Sequence, residues 1–349
     1  SVTIYVDPAS VGGRITGSTT VCTGTNRTKL TLSGYEGLIQ WQSSADNIQF
    51  TNVINASDDS LIVANLGQTM YYRALVQSGV CSGAYSDTAK VTVSPATVSG
   101  TASGDTTVCA TANSSVLTLN GYVGTIQWQV SSDNSSFSAI SGATSATYTA
   151  SGLTATRYYR ARVKSGACDS LFSNVVTVTV NPASVAGTVS GSAVVCTGTN
   201  STVLTLSGYT GSIQWQSSSN NTSFSNIADS TGASLVVNNI TATTYYRAAV
   251  TSGVCAAANS ASATVTVKTL SVGGKVSKDT TVCVTSNSTT LSLNGYNGTI
   301  QWQRTVNGVF TNISGATAAS YVASGLSATT QFRAIVTNSP CDVAVSDTA

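Results

Sequence analysis

Cysteine is the residue type best placed to do chemistry in this chain, and it recurs at a fixed step. Cys22, Cys109, Cys196 and Cys283 stand 87 residues apart; Cys81, Cys168 and Cys255 keep that step, and Cys341 arrives one residue early. An even number of thiols, two per repeat in a chain of low charge, favours disulfides and an oxidising compartment. A metal site is disfavoured, because there is no C-x-x-C and no histidine to complete a tetrahedral shell. Pairing within a repeat (Cys22 with Cys81, Cys109 with Cys168, Cys196 with Cys255, Cys283 with Cys341) leaves no thiol over, whereas joining Cys81 to Cys109 across a junction strands Cys22 and Cys341. The intra-repeat set is therefore expected, each bridge removing roughly 4 kcal/mol of unfolded-chain entropy in the simple loop model. The lack of histidine also removes the commonest general base. One Glu and twelve scattered Asp supply paired-carboxylate chemistry poorly. The expectation is a protein that is not an enzyme and carries no cofactor.

The composition narrows the partners. Of 349 residues only 8 % are charged, with 15 Lys and Arg against 13 Asp and Glu for a net charge of +2, and no basic run is present. Nucleic-acid binding by phosphate neutralisation and electrostatic membrane binding both lack their means. No stretch approaches eighteen consecutive apolar residues, so direct membrane insertion by a helix is not expected. With 41 % of residues hydrophobic there is material for several cores.

Those residues need elements to hold them, and the chain supplies the same elements four times. Trp41, Trp128, Trp215 and Trp302 share the 87-residue step. Each repeat is a string of short strands of period two separated by Gly, Asn and Ser turns, with no helical period. In repeat 1 Leu30 and Leu32, Ile39 and Trp41, Leu61 and Val63, Tyr72 with Ala74 and Val76, and Val91 with Val93 mark five strands. Repeat 4 carries Gln331 where the others have Tyr71, Tyr158 and Tyr245, and Phe332 where they have Tyr72, Tyr159 and Tyr246, so the second aromatic is the inward one. About seven strands in fewer than 90 residues, with a core Trp packing across two sheets, predict an immunoglobulin-like β-sandwich. The fold expected is all-β, four tandem sandwiches in an extended rod. The divisions are residues 1–7 (last strand of a preceding repeat), 8–94, 95–181, 182–268 and 269–349, the last without its final strand. Pro8, Pro95 and Pro182 mark semi-rigid junctions; the third junction, Lys268 to Val272, lacks proline and is expected to bend more easily. Repeat 4 is one residue short between Arg304 and Val309. Val2 to Val6 align with Val176 to Val180, as if the chain were cut from a longer array; the alternative is that this segment completes repeat 4 of another molecule by donor-strand addition.

Three further sets invite a functional assignment. The four Trp are expected in the core rather than on a sugar-binding surface, each being in phase with an Ile two residues earlier. Arg73, Arg160, Arg247 and Arg333 are expected on the outward face, stacked on aromatics or solvated. Asp followed by Ser or Thr and then a small or aliphatic residue occurs at Asp59, Asp87, Asp105, Asp169, Asp229, Asp279 and Asp347, seven of the twelve Asp, against about two from composition alone. Turn chemistry accounts for such pairs.

Gly208 to Gln216 (Gly-Tyr-x-Gly-x-Ile-Gln-Trp-Gln), Thr243 to Ala248 (Thr-Thr-Tyr-Tyr-Arg-Ala), Ser252 to Cys255 and Val178 to Val185 resemble the tandem repeats of giant cell-surface adhesins of Bacteroidota, most nearly the SprB-type gliding-motility adhesins of flavobacteria. The resemblance covers the whole chain. It implies a filament exported by the type 9 secretion system, held at the outer membrane and moved by the gliding machinery while gripping a surface. It also implies O-glycosylation at Ser60, Thr88, Thr106, Ser170, Ser230, Thr280 and Thr348. The expected partners are neighbouring repeats, the secretion and gliding machinery, and surface polysaccharide. Because the outward Tyr71 series drifts while the Trp does not, a stalk or spacer is favoured over a carbohydrate-binding module.

Overall fold

Alternating apolar residues broken by Gly, Asn and Ser turns form strands and nothing else. The structure, a computed structural model, describes residues 1–277 and 279–349, and among them there is no helix. Two compact units result, Ser1–Asn181 and Pro182–Ala349, each carrying two copies of one β-sandwich.

Repeat 1 shows the plan. Its strands are β1 (Arg14–Thr16), β2 (Thr19–Cys22), β3 (Arg27–Ser33), β4 (Leu38–Ser44), β5 (Thr51–Asn52), β6 (Ser60–Ala64), β7 (Met70–Gln77), β8 (Ala84–Tyr85) and β9 (Ala89–Ser94). One sheet has the order β1-β3-β6; the other has β2-β9-β7-β4-β5, with β8 on the β7 edge. Nine strands form instead of seven, because β5 and β8 are two residues long and too short to carry a period. All pairings are antiparallel except β2 with β9, which run parallel with Thr19 opposite Val91 and Cys22 opposite Ser94. Residues 98–181 and 188–268 repeat this arrangement.

The five predicted strand patterns all supply the core between the sheets. Leu30, Leu32, Ile39, Trp41, Val63, Tyr72, Ala74, Val76 and Val91 are buried together. Trp41, Trp128, Trp215 and Trp302 are fully buried, and each lies opposite an alanine in the register (Ala74, Ala161, Ala248 and Ala334), whose small methyl side chain leaves room for the indole. The indole N–H donates to a loop carbonyl in every copy, for example to Asp58 at 2.9 Å and Ser145 at 3.0 Å. Burial therefore costs no unmade hydrogen bond. Tyr72, Tyr159, Tyr246 and Phe332 are buried, as the Gln331 comparison predicts.

The Gly-Tyr-x-Gly motif has a backbone cause. Gly34 has φ 67° at the turn, and a Cβ on Gly37 (φ 130°) would lie 2.6 Å from the carbonyl carbon of Gln77, so the β3–β4 corner closes against the end of β7 only without a side chain.

Repeat 4 departs at two places. Its one-residue deletion turns the loop after the Trp strand into a tight hairpin: Thr299–Val306 pairs with Val309–Asn312, and Asn307 and Gly308 have φ 50° and 77°, the signature of a type I′ turn. Residues 280–283, the counterpart of β2, form no strand. The third junction is tied rather than loose: Asn297 donates to Thr269 Oγ1 and Leu270 O, Asn338 to Thr269 O, and Lys268 Nζ to Ser339 O.

Candidate functional site

The bridges do not form within repeats. Cys22 is bonded to Cys168, 146 residues away, and Cys196 to Cys341, 145 residues away, with Cα–Cα distances of 4.7 and 5.5 Å. All four expected pairs are thereby excluded. Cys81 is half-buried and unbonded, and Cys283 is exposed and unbonded; Cys109 and Cys255 are also in disulfides.

Geometry explains the correction. The first cysteine of a repeat ends β2 or its equivalent, level with the last residue of the final strand: Cys22 opposite Ser94, Cys109 opposite Asn181, Cys196 opposite Lys268. It therefore sits where the chain leaves the sandwich. The second cysteine lies in the turn after β7, at the other end, against the linker through which the chain came in. Cys168 Sγ is 3.2 Å from Pro95 O and Cys255 Sγ 3.2 Å from Pro182 O. Eight residues of β7 separate the two ends, about 25 Å at ~3.3 Å per residue, far beyond the reach of a disulfide. The cysteine at the outgoing end of repeat 1 instead meets the one at the incoming end of repeat 2. A cross-junction bridge was thus the right kind of alternative with the wrong cysteines: the first and last of the series, Cys22 and Cys341, are bonded, and Cys81 and Cys283 are the unbonded ones.

An asparagine four residues beyond the first cysteine buttresses this end. Asn26 Nδ2 donates to Cys22 O and Leu66 O while its Oδ1 accepts from Leu66 N, all at 2.8–2.9 Å; Asn113, Asn200 and Asn287 make the same bonds. Sequence reasoning missed these residues. Their constant offset from the cysteine is the signal that could have found them.

The arginine series is stacked on the outer face. The Arg73 guanidinium lies 4.1 Å from the Phe50 ring centroid and 3.9 Å from that of Tyr85, and Arg160 lies between Phe137 and Phe172 at 4.1 and 4.0 Å. Each Nε donates to a glutamine on the Trp strand, Gln42 and Gln129. Those ring faces are occupied by the protein's own cations. Tyr71 is faced by Lys90, whose Nζ lies 5.6 Å from the ring centroid.

The Asp-Ser/Thr sites divide by what surrounds them. Thr88, Thr106, Thr280 and Thr348 are exposed; Ser60, Ser170 and Ser230 are half-buried, with Ser170 Oγ accepting from Arg162 and Ser230 Oγ donating to Ala228 O. Several of the aspartates fasten backbone: Asp87 accepts from Ile15 N at 2.6 Å, Asp347 from Val276 N at 2.6 Å, and Asp105 from Thr177 N at 2.8 Å. These three carboxylates fasten strand edges 71 or 72 residues away rather than capping their own turns.

Among the described residues no group of three or more His, Cys, Asp or Glu is arranged to hold a metal. No helix is long and apolar enough to cross a membrane, which says nothing of strands. A hollow of about 350 Å³ lies in repeat 4 beside Thr280, Val282, Leu291, Thr330 and Phe332.

The profile of a protein family described as Domain of unknown function (DUF8696) matches residues 11–95, 98–182, 185–269 and 272–349. No curated protein sequence matches the chain. Among solved structures, domains FN1–FN3 of chicken CNTN1 align at 14 % identity over 74 % of this chain and 100 % of theirs, TM-score 0.26. A structure described as concerning host cell surface retention of a 1.5-MDa bacterial ice-binding adhesin aligns at 13 % over 76 % and 100 %, TM-score 0.33. Immunoglobulin domains 1–4 of Sidekick-1 align at 12 % over 95 % and 96 %, TM-score 0.28. At these scores the likeness extends to neither function nor partner.

Proposed function

Because the chain belongs to the DUF8696 family, as four tandem copies of its domain, we propose that it is a stalk segment of a large, secreted, filamentous cell-surface adhesin, a structural spacer and not a catalyst. The observation that carries this reading is the disulfide that fastens the outgoing end of one repeat to the incoming end of the next. A binding module gains nothing from such a bond. A tether under load gains a covalent path that bypasses most of two sandwiches. The aromatic rings that would have served as an open sugar platform beside the arginines are instead covered by them.

An extracellular location fits six of eight cysteines being disulfide-bonded. Service in gliding motility, export by the type 9 secretion system, attachment at the outer membrane, contact with surface polysaccharide and O-glycosylation of the exposed threonines rest on the resemblance of the repeat motifs to the gliding adhesins.

Single-molecule pulling on the ends of the chain tests the spacer. The 146 residues between Cys22 and Cys168 should stay out of the force path until reductant is added, each such bridge then releasing about 480 Å at ~3.3 Å per residue. Equal contour lengths with and without reductant would sink the proposal.

A further inference from the structure

We propose that the outer face of repeat 2 binds an acidic polysaccharide, a chain of uronic-acid units whose carboxylates dock along the strand Arg157–Lys164 on Arg160, Arg162 and Lys164. This names a chemical class for the polysaccharide contact above, but it stands on this face alone: the spacer fails or holds by pulling, the binding face by titration.

Strand alternation puts the three cations in one file. In Arg157–Lys164 the residues Tyr159, Ala161 and Val163 are buried, so Tyr158, Arg160, Arg162 and Lys164 point outward. Successive members of the file stand about 6.7 Å apart, and Arg162 and Lys164 are exposed. The same file carries a single cation in each of the other repeats: Arg73 is followed by Leu75 and Gln77, Arg247 by Ala249 and Thr251, and Arg333 by Ile335 and Thr337. The strand keeps the same register against the Trp strand in all four copies. The fold therefore does not require the two added charges. Among the described residues no carboxylate forms an ion pair with Arg160, Arg162 or Lys164.

The two arginines are held in place before a ligand arrives. The Arg160 guanidinium is stacked between the rings of Phe137 and Phe172, at 4.1 and 4.0 Å, and its Nε donates to Gln129 Oε1 at 2.9 Å. Arg162 Nε donates to Ser170 Oγ at 3.1 Å. In both residues the bond to protein is made at Nε, and the terminal Nη groups have no protein acceptor among the described residues. Such a fork takes a planar carboxylate through two parallel charge-assisted bonds. Holding it in advance lowers the side-chain entropy lost on binding. Lys164, at the end of the file, adds a third point charge.

The surroundings favour a glycan over a nucleic acid. Single strands bind by stacking successive bases on aromatic rings, and here both phenyl rings already take the Arg160 cation on their faces. Tyr158, half-buried at the other end of the file, is left for one ring of a ligand. A sugar chain brings hydroxyls as well as carboxylates. Thr125 lies opposite Lys164 in the register, exposed, and its Oγ1 donates to Lys164 O at 3.0 Å. The lone pairs of that hydroxyl remain open to a sugar O–H.

The test is calorimetric titration of the full chain with a galacturonate oligomer, beside a neutral dextran oligomer and a single-stranded oligodeoxynucleotide. The galacturonate oligomer is expected to bind at one site per chain, and raising NaCl from about 50 to about 300 mM should weaken it roughly tenfold or more. Dextran should not bind, and the oligonucleotide should bind more weakly than the uronate. R162Q with K164Q should weaken uronate binding by roughly fivefold or more and leave the melting temperature unchanged, both side chains being exposed. The converse variant builds the file where it is lacking. Arg73 is already stacked between Phe50 and Tyr85, so L75R with Q77K should raise the stoichiometry from one oligomer per chain to two. No uronate binding, dextran or the oligonucleotide binding as tightly as the uronate, an affinity unmoved by R162Q with K164Q, or a stoichiometry unmoved by L75R with Q77K would each overturn the proposal.

Discussion

Asp46 is a residue whose chemistry is set by its own turn. Its Oδ1 accepts from Ile48 N and Gln49 N at 2.9 Å and from Ser44 Oγ at 2.7 Å. Hydrogen bonds to the charged form, that from Gln49 foremost, hold its pKa down to about 2 from an ordinary 3.8. Asp133 in repeat 2 is depressed further by the same kind of turn, led by the bond from Ser136. A depressed carboxylate contributes its full stabilisation above its unfolded pKa and loses it as pH falls toward the folded one, so the loss should come between about pH 4 and 2. In repeat 3 the position is Asn220, which accepts the same bonds from Thr222 and Ser223 and cannot titrate. Carboxyl carbon-13 titration should therefore show two aspartates with midpoints at or below about 2, absent in Asp46→Asn and Asp133→Asn. An ordinary midpoint at Asp46 would mean that the turn is not closed in solution.

At the scale of elements, the loop after β6 is held to the cysteine end of the sandwich by one side chain. Asn200 donates to Cys196 O and Ile240 O and accepts from Ile240 N at 2.8–2.9 Å, with a longer bond to Gly198 O at 3.3 Å. Asn200→Ala leaves part-buried backbone groups unpaired and should cost about 2–3 kcal/mol, at roughly 1 kcal/mol per bond with a desolvation penalty added. A calorimetric scan should show the loss in the unit that contains repeat 3 and none in the unit Ser1–Asn181. A change below about 0.5 kcal/mol would mean that water replaces these bonds.

At the scale of the whole chain, a bridge that spans two repeats couples their stabilities, whereas a bridge inside one repeat would touch that repeat alone. Closing 146 residues with the Cys22–Cys168 bond removes up to roughly 5 kcal/mol of unfolded-chain entropy. Cys168→Ser should lower the melting of repeats 1 and 2 together. Cys22→Ser should have the same effect, and the double variant should add nothing further, since each removes the same bond. Additive losses in the double variant would show that the two cysteines do not act as a pair.

What could be read in the residues was what local periodicity carries. The 87-residue repeat, the strands, the buried Trp and the inward aromatic at Tyr72 all follow from period-two alternation, a property of neighbouring residues. The cysteine partners do not follow from it, because they depend on which end of the sandwich each strand finishes at. Between Cys22 and Cys81 the apolar pattern marks four strands, those of Leu30, Trp41, Leu61 and Tyr72, and four antiparallel passes return the chain to the end where it began. The fifth pass is β5, two exposed residues with no apolar pattern, hydrogen-bonded to β4 through Gln42 and Ser43. It changes an even count to an odd one and puts the two cysteines of a repeat at opposite ends. Only the tertiary pairing of β5 with β4, and the parallel pairing of β2 with a strand some 70 residues later, decided that the bond joins one repeat to the next.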